Sequence, residues 1–160
     1  IYNIIAMLMK KGINKDRIYT LAINTSSVDR LRLIGYSLDS KMEVFEDCGA
    51  ALIILTKEEL ARYNYKKGDT ESLVNMPLQI PEVYWSVFMR EDDEYVKISI
   101  RSQGDFAVNT ICEKHFNGGG HKNAAGGEFY GTVEEARAEF DKIIEEMKSE
   151  ADADGVENDK

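Results

Sequence analysis

The chain has 160 residues, 43% of them hydrophobic, which is enough length and apolar content for one compact core and excludes a globally disordered chain. Its 20 basic and 29 acidic residues leave a net charge of −9, which argues against broad capture of a nucleic-acid duplex; any nucleic-acid ligand has to be short and locally held. The two cysteines, Cys48 and Cys112, show no CxxC or regular spacing, so neither a disulfide framework nor a zinc site follows, and a reducing cytoplasm is the simplest setting.

The opening stretch IYNIIAMLMKKG is apolar over about half of the roughly twenty residues a membrane helix needs, so it reads as no span. With no basic leader and no small-residue cleavage site it also reads as no secretory signal. Ile1, Ile4, Ile5 and Leu8 recur at helical spacing and predict the buried stripe of an amphipathic helix. Val28, Leu31, Ile34 and Leu38 mark a second helical face, opened by Ser26 with Asp29 three positions on as an acidic capping variant. Met42 to Phe45 and Ala50 to Leu55 are short β-rich runs around Asp47-Cys48-Gly49; the second, apolar throughout, is expected as a strand buried on both faces. Thr56 and Glu59 form a capping box for a brief helix through Tyr63.

After the acidic GDTE segment and two prolines, Val83 to Arg90 and Glu94 to Arg101 flank Glu91-Asp92-Asp93 as a hairpin with a solvated polar tip. Side chains alternate along its second strand, so Val96, Ile98 and Ile100 go to the core and Lys97, Ser99 and Arg101 to the other face. Arg101 ends that polar face, just before Ser102 and the Gln103-Gly104 turn, and its rigid five-donor fork can hold a phosphate bidentately. A helix from Asp105 to about His115 follows, with Val108, Ile111 and Cys112 buried and His115 in a packing role beside them.

That helix leads into Phe116-Asn117-Gly118-Gly119-Gly120-His121-Lys122-Asn123-Ala124-Ala125-Gly126-Gly127. Three consecutive glycines let a backbone approach a ligand, and their N–H groups can form an anion-binding nest beside the His121 donor and the Lys122 charge. A Cys112–His121 nucleophile pair lacks any orienting third group, and His121 has no second histidine or cysteine at a metal-ligand spacing. Glu128 to Tyr130 reads as a strand; Thr132 and Glu135 cap a last helix with the stripe Val133, Ala136, Phe140, Ile143 and Met147. SEADADGVENDK is acidic, poor in large apolar residues, and expected as a disordered tail rather than a calcium loop.

GGGHKNAAGG, residues 118–127, resembles the signature of the DHHA1 domain, the substrate-binding half of the DHH phosphoesterase superfamily. GDTESLVN (Gly68 to Asn75) and VKISIRSQGDFAVNTICEKHFNGGGH (Val96 to His121) resemble its nanoRNase and pAp-phosphatase, RecJ-like, branch in order and spacing, and Val28 to Val44 resembles the connector into the domain. Ser72 departs from the glycine common in the best-known subgroup. The resemblance implies an α/β fold, a mixed sheet covered by helices, with connector helices over residues 1–40, a DHHA1 substrate-binding domain over 41–148 and an acidic tail over 149–160.

It further implies a metal-dependent hydrolase of short oligoribonucleotides or phosphoadenosine phosphate, with manganese or another divalent ion held by a separate N-terminal DHH domain. The substrate-binding residues it implies are Arg101, Ser102, Gly118, Gly119, Gly120, His121 and Asn75, with His121 a transition-state donor in the full enzyme. Neither histidine of this chain, His115 or His121, follows an aspartate, so the chain reads as a C-terminal piece, inactive alone. The expected partners are a short oligonucleotide or nucleotide phosphate and the protein's own DHH domain, with monomer and homodimer both open and no membrane. The alternative is a non-catalytic nucleotide-binding or sensing module on the same fold.

Overall fold

The β-rich runs become six strands: β1 (Met42–Phe45), β2 (Ala50–Leu55), β3 (Trp85–Glu91), β4 (Val96–Ser102), β5 (Gly119–His121) and β6 (Ala124–Phe129). In the computed structural model, which describes residues 2–22 and 26–157, they form one sheet in the order β1-β2-β3-β4-β6-β5. Only β2 and β3 run parallel; every other neighbouring pair is antiparallel. The helices are α1 (Tyr2–Lys10), α2 (Lys15–Ala22), α3 (Val28–Ser40), α4 (Lys57–Arg62), α5 (Val108–His115) and α6 (Val133–Glu157).

Strand alternation divides the core in two. On one face Leu52, Val87, Ile98 and Ile100 pack under α5 and α6 with Cys112, Phe116 and Phe140. Buried Trp85 joins them and satisfies its indole N–H on the Cys48 carbonyl at 3.1 Å. On the other face Ile53, Leu55 and Phe88 pack with Leu33, Leu60, Leu73 and Val74 from α3, α4 and the 3-10 turn Leu73–Asn75. These elements cover the β2–β3 half of the second face. The β4–β6 half keeps its polar side chains Lys97 exposed and Ser99 and Arg101 half-buried.

The Thr56–Glu59 capping box forms in full and starts α4, and the Thr132–Glu135 pair caps α6 in the same reciprocal way. The hairpin tip is more engaged than a solvated turn: Glu91 accepts the Lys57 N–H at 2.8 Å, Asp93 pairs with Lys57 at 3.0 Å, and Asp92 takes Arg90.

Several sequence expectations are corrected. The cap of α3 is Ser27, whose Oγ accepts the Arg30 N–H at 3.0 Å, rather than Ser26. Of the expected face Ile34 and Leu38 are half-buried against the second core, whereas Val28 and Leu31 are 63% and 59% exposed and the fully buried positions are Leu33 and Ser37. The face turns because Ser37 can be buried with its hydroxyl donating to the Leu33 carbonyl at 2.7 Å. On α1, Ile4 and Ile5 are exposed and only Leu8 is half-buried, since among the described residues nothing covers that stripe; Ile1 lies outside them.

Helix α5 begins at Val108 instead of Asp105, because Ser102 Oγ donates to the Phe106 carbonyl at 2.6 Å and holds residues 102–106 as a turn. The last helix extends to Glu157, through residues read as tail: alanines and glutamates sustain a helix and no proline stops it. Residues 158–160 of that segment lie outside the described residues.

Candidate functional site

β4 supplies the floor of a trough of about 940 Å³ on the uncovered half of the sheet. Register puts Arg101 opposite Ala124, Ser99 opposite Gly126 and Lys97 opposite Glu128, so small residues on β6 leave the middle of the floor low. Thr70, Glu71 and Val74 form one wall, and Asn117 and Gly118 stand at the other. Ser86 fixes the first wall by donating its hydroxyl to the Val74 carbonyl. Such a volume falls within the roughly 300–1,000 Å³ typical of small-ligand sites.

Arg101 stands at one end of this trough. Its Nη1 donates to the Ile100 and Ala125 carbonyls at 2.8 and 3.2 Å, which orients the fork, and among the described residues it pairs with no carboxylate. A guanidinium aimed but not neutralised is suited to an incoming anion. Arg90, by contrast, is consumed: Asp92 takes it bidentately at 2.8 and 2.6 Å and Tyr65 accepts a third bond at 2.7 Å.

The other expected site residues are not all brought to the trough. Ser102, one step from Arg101, faces the opposite way and is 8% exposed; its oxygen accepts Asn123 Nδ2 at 2.9 Å while its proton goes to Phe106. Asn75 is exposed on the 3-10 turn but does not line the cavity, whereas Val74 beside it does. His121 is exposed at the end of β5, opposite Ala124, so Arg101, Ala124 and His121 occupy one row across three strands.

The glycine run is not an open anion nest. Gly119 and Gly120 are in edge strand β5, and the Gly118 N–H donates to the Cys112 carbonyl at 3.2 Å. The need for glycine is one of close approach: a Cβ at Gly118 would run into the Gly126 carbonyl, and Gly120 has φ +149° with β6 backbone where its Cβ would be. Lys122, in the turn that follows, is held by Asp105 at 2.5 Å.

Cys112 is wholly buried and its thiol is pushed up to about 11, chiefly by burial, so it is no nucleophile at neutral pH. His115 packs as expected, its side chain 8% exposed and its Nδ1 2.7 Å from Glu139. Among the described residues no three of His, Cys, Asp or Glu converge to hold a metal ion, so the residues present do not fit a metal centre. Among them, too, no helix is long and apolar enough to cross a membrane. The sequence reading missed Lys97, Ser99 and Glu71 as trough residues; for Lys97 and Ser99 the signal was their period-2 spacing from Arg101.

A mixed six-stranded sheet, helix-covered except over an arginine-ended trough, is an α/β architecture. Residues 50–150 match the DHHA1 domain, and the chain belongs to that family. It is 31% identical over 102 residues to the probable bifunctional oligoribonuclease and PAP phosphatase NrnA of Streptococcus mutans, covering 63% of this chain and 31% of that protein. It is 29% identical over 101 residues to the Bacillus subtilis NrnA, covering 63% and 30%. A solved exopolyphosphatase-related protein from Bacteroides fragilis shares 53% identity with a TM-score of 0.85, covering 92% of this chain and 43% of that one. A Vibrio cholerae pGpG-specific phosphodiesterase, 17% identical over 92% of this chain and 51% of its own, superposes with a TM-score of 0.59 and shares the fold. The chain thus spans about a third of the curated relatives and about half or less of the solved ones.

Proposed function

We propose that this chain is the substrate-binding part of a DHH-type phosphoesterase and holds a phosphate of a short oligoribonucleotide or phosphoadenosine phosphate at Arg101. The observation that carries this is the unneutralised, backbone-oriented Arg101 at the end of a nucleotide-sized trough. The oligoribonuclease and PAP phosphatase names of the relatives supply the substrate class. His121, in the same cross-strand row, is the candidate donor to the scissile phosphate.

Hydrolysis then belongs to a DHH domain outside these residues, whose divalent metal, manganese by the family resemblance, would activate the water. That domain is also the proposed cover for the exposed apolar side chains of α1 and α2, Ile4, Ile5, Met7 and Ile18 among them. The free, buried cysteines are compatible with the cytoplasm as the place of action.

Titrating the chain with a ribodinucleotide bearing a 5′-phosphate tests the reading by backbone chemical shifts. Perturbations are expected around residues 97–101 and 117–128, and Arg101→Ala should weaken binding at least about tenfold, since a charge-assisted bidentate contact carries roughly 1.5–3 kcal/mol. Undiminished binding by Arg101→Ala, or shifts confined to residues 91–94, overturns it.

A further inference from the structure

The two ends of the trough differ in charge, and that difference orients the ligand. Arg101 is the only unneutralised cation at its end among the described lining residues. Four residues back along β4, about 13 Å at strand rise, Lys97 stands directly opposite Glu128. The Glu128 carboxylate beside Lys97 disfavours a second phosphate there, and Arg90 cannot tip the balance because Asp92 neutralises it. The far end therefore suits an uncharged group rich in hydrogen-bond donors.

Glu128 is built for that task. Its Oε2 accepts the Tyr130 hydroxyl at 2.6 Å, and the Tyr130 ring rests against Tyr95, a trough-lining residue, with centroids 6.0 Å apart. The carboxylate is thereby fixed while Oε1 stays open. Lys97, its cross-strand neighbour, forms no ion pair with it or with any other carboxylate among the described residues. A held acceptor thus sits beside a free donor on neighbouring strands, with the side-chain-free Gly126 between this row and Arg101.

Resting on the reading that Arg101 takes the phosphate, we propose that Glu128 and Lys97 form a nucleobase subsite that prefers guanine. Guanine presents two donors, N1–H and the N2 amino group, to one carboxylate and its O6 acceptor to the lysine. Adenine, cytosine and uracil each offer the carboxylate a single donor position. A good bidentate base contact discriminates roughly tenfold to a hundredfold. The nucleoside lies over Ser99 and Gly126, where no large side chain intervenes.

The test is calorimetric titration of the chain with ribose 5-phosphate, GMP, AMP and UMP. Ribose 5-phosphate should bind weakly and lose binding in Arg101→Ala; GMP should bind about tenfold or more tighter than UMP. Glu128→Ala should erase that preference while leaving ribose 5-phosphate binding in place, and Tyr130→Phe, at a 64% exposed side chain, should reduce it. If ribose 5-phosphate binds through Arg101 but the three nucleotides bind alike, or Glu128→Ala keeps the guanine preference, the base subsite is wrong and the phosphate reading stands. If ribose 5-phosphate binding ignores Arg101, the phosphate reading itself fails, and the base subsite with it.

Discussion

Arg101 and Ser102 are neighbours in sequence with opposite surroundings, because successive side chains of β4 leave the sheet on opposite faces. Arg101 reaches the open trough, whereas Ser102 is buried between Asn123 and the Phe106 carbonyl. Removing the Ser102 hydroxyl takes the short hydrogen bond from the Phe106 carbonyl and leaves it the 3.4 Å bond from Asn123 Nδ2, which keeps the Gly104 carbonyl at 3.1 Å. Ser102→Ala is therefore expected to lower stability in urea by about 1 kcal/mol, and a change well within about 0.5 kcal/mol would show that the turn does not depend on it. Arg101 was legible from its place on the polar face of a predicted strand; the role of Ser102 was not, because its partners lie 4 and 21 residues away. The glycines were legible as special but not in kind: only the approach of β6 shows that Gly118 is glycine to clear a carbonyl.

Helix α5 carries the chain from that turn into the glycine strand, and α6 holds it in place from the far side. His115 Nδ1 meets Glu139, Lys142 bonds the same carboxylate at 3.0 Å, and Lys114 meets Glu146 at 2.7 Å. The hydrogen bond from His115 first, then that from Lys142, holds the Glu139 carboxyl below its ordinary value of 4.5. A carboxyl depressed in the folded state binds its proton more readily when unfolded, so its contribution is complete above the unfolded value and is lost as pH falls through the folded one. Urea midpoints measured from about pH 6 to pH 3 should therefore drop less for Glu139→Gln than for the native chain. Parallel curves would mean that this clamp adds no acid sensitivity. The stripe of α6 was readable from its spacing, but the pairing of His115 was not, since Glu139 is 24 residues on and on the helix's flank. The start of α5 was misplaced for a similar reason, a side-chain bond that competes with helix formation.

At the scale of the molecule, strand positions follow from local pattern, but strand order does not. The β3–β4 hairpin is written in adjacent residues, whereas the parallel β2–β3 pair and the placing of β6 between β4 and β5 depend on contacts made through the assembled cores. That order is what leaves half of one face open as a trough. The same two-core arrangement excludes α1 and α2: between residues 3 and 21 only Leu8 is even half-buried, with Ile4, Met7, Ile18 and Leu21 exposed. Side chains that bury little contribute little to folding, so a chain starting at Ser26 should unfold within about 0.5 kcal/mol of the longer one. An apolar surface of this extent also favours association, so the longer chain should bind a hydrophobic dye more strongly than the shortened one in the same light-scattering and fluorescence series. A loss of several kcal/mol on shortening would instead make the two helices part of the domain's own core, and their apolar face could no longer be assigned to a neighbouring domain.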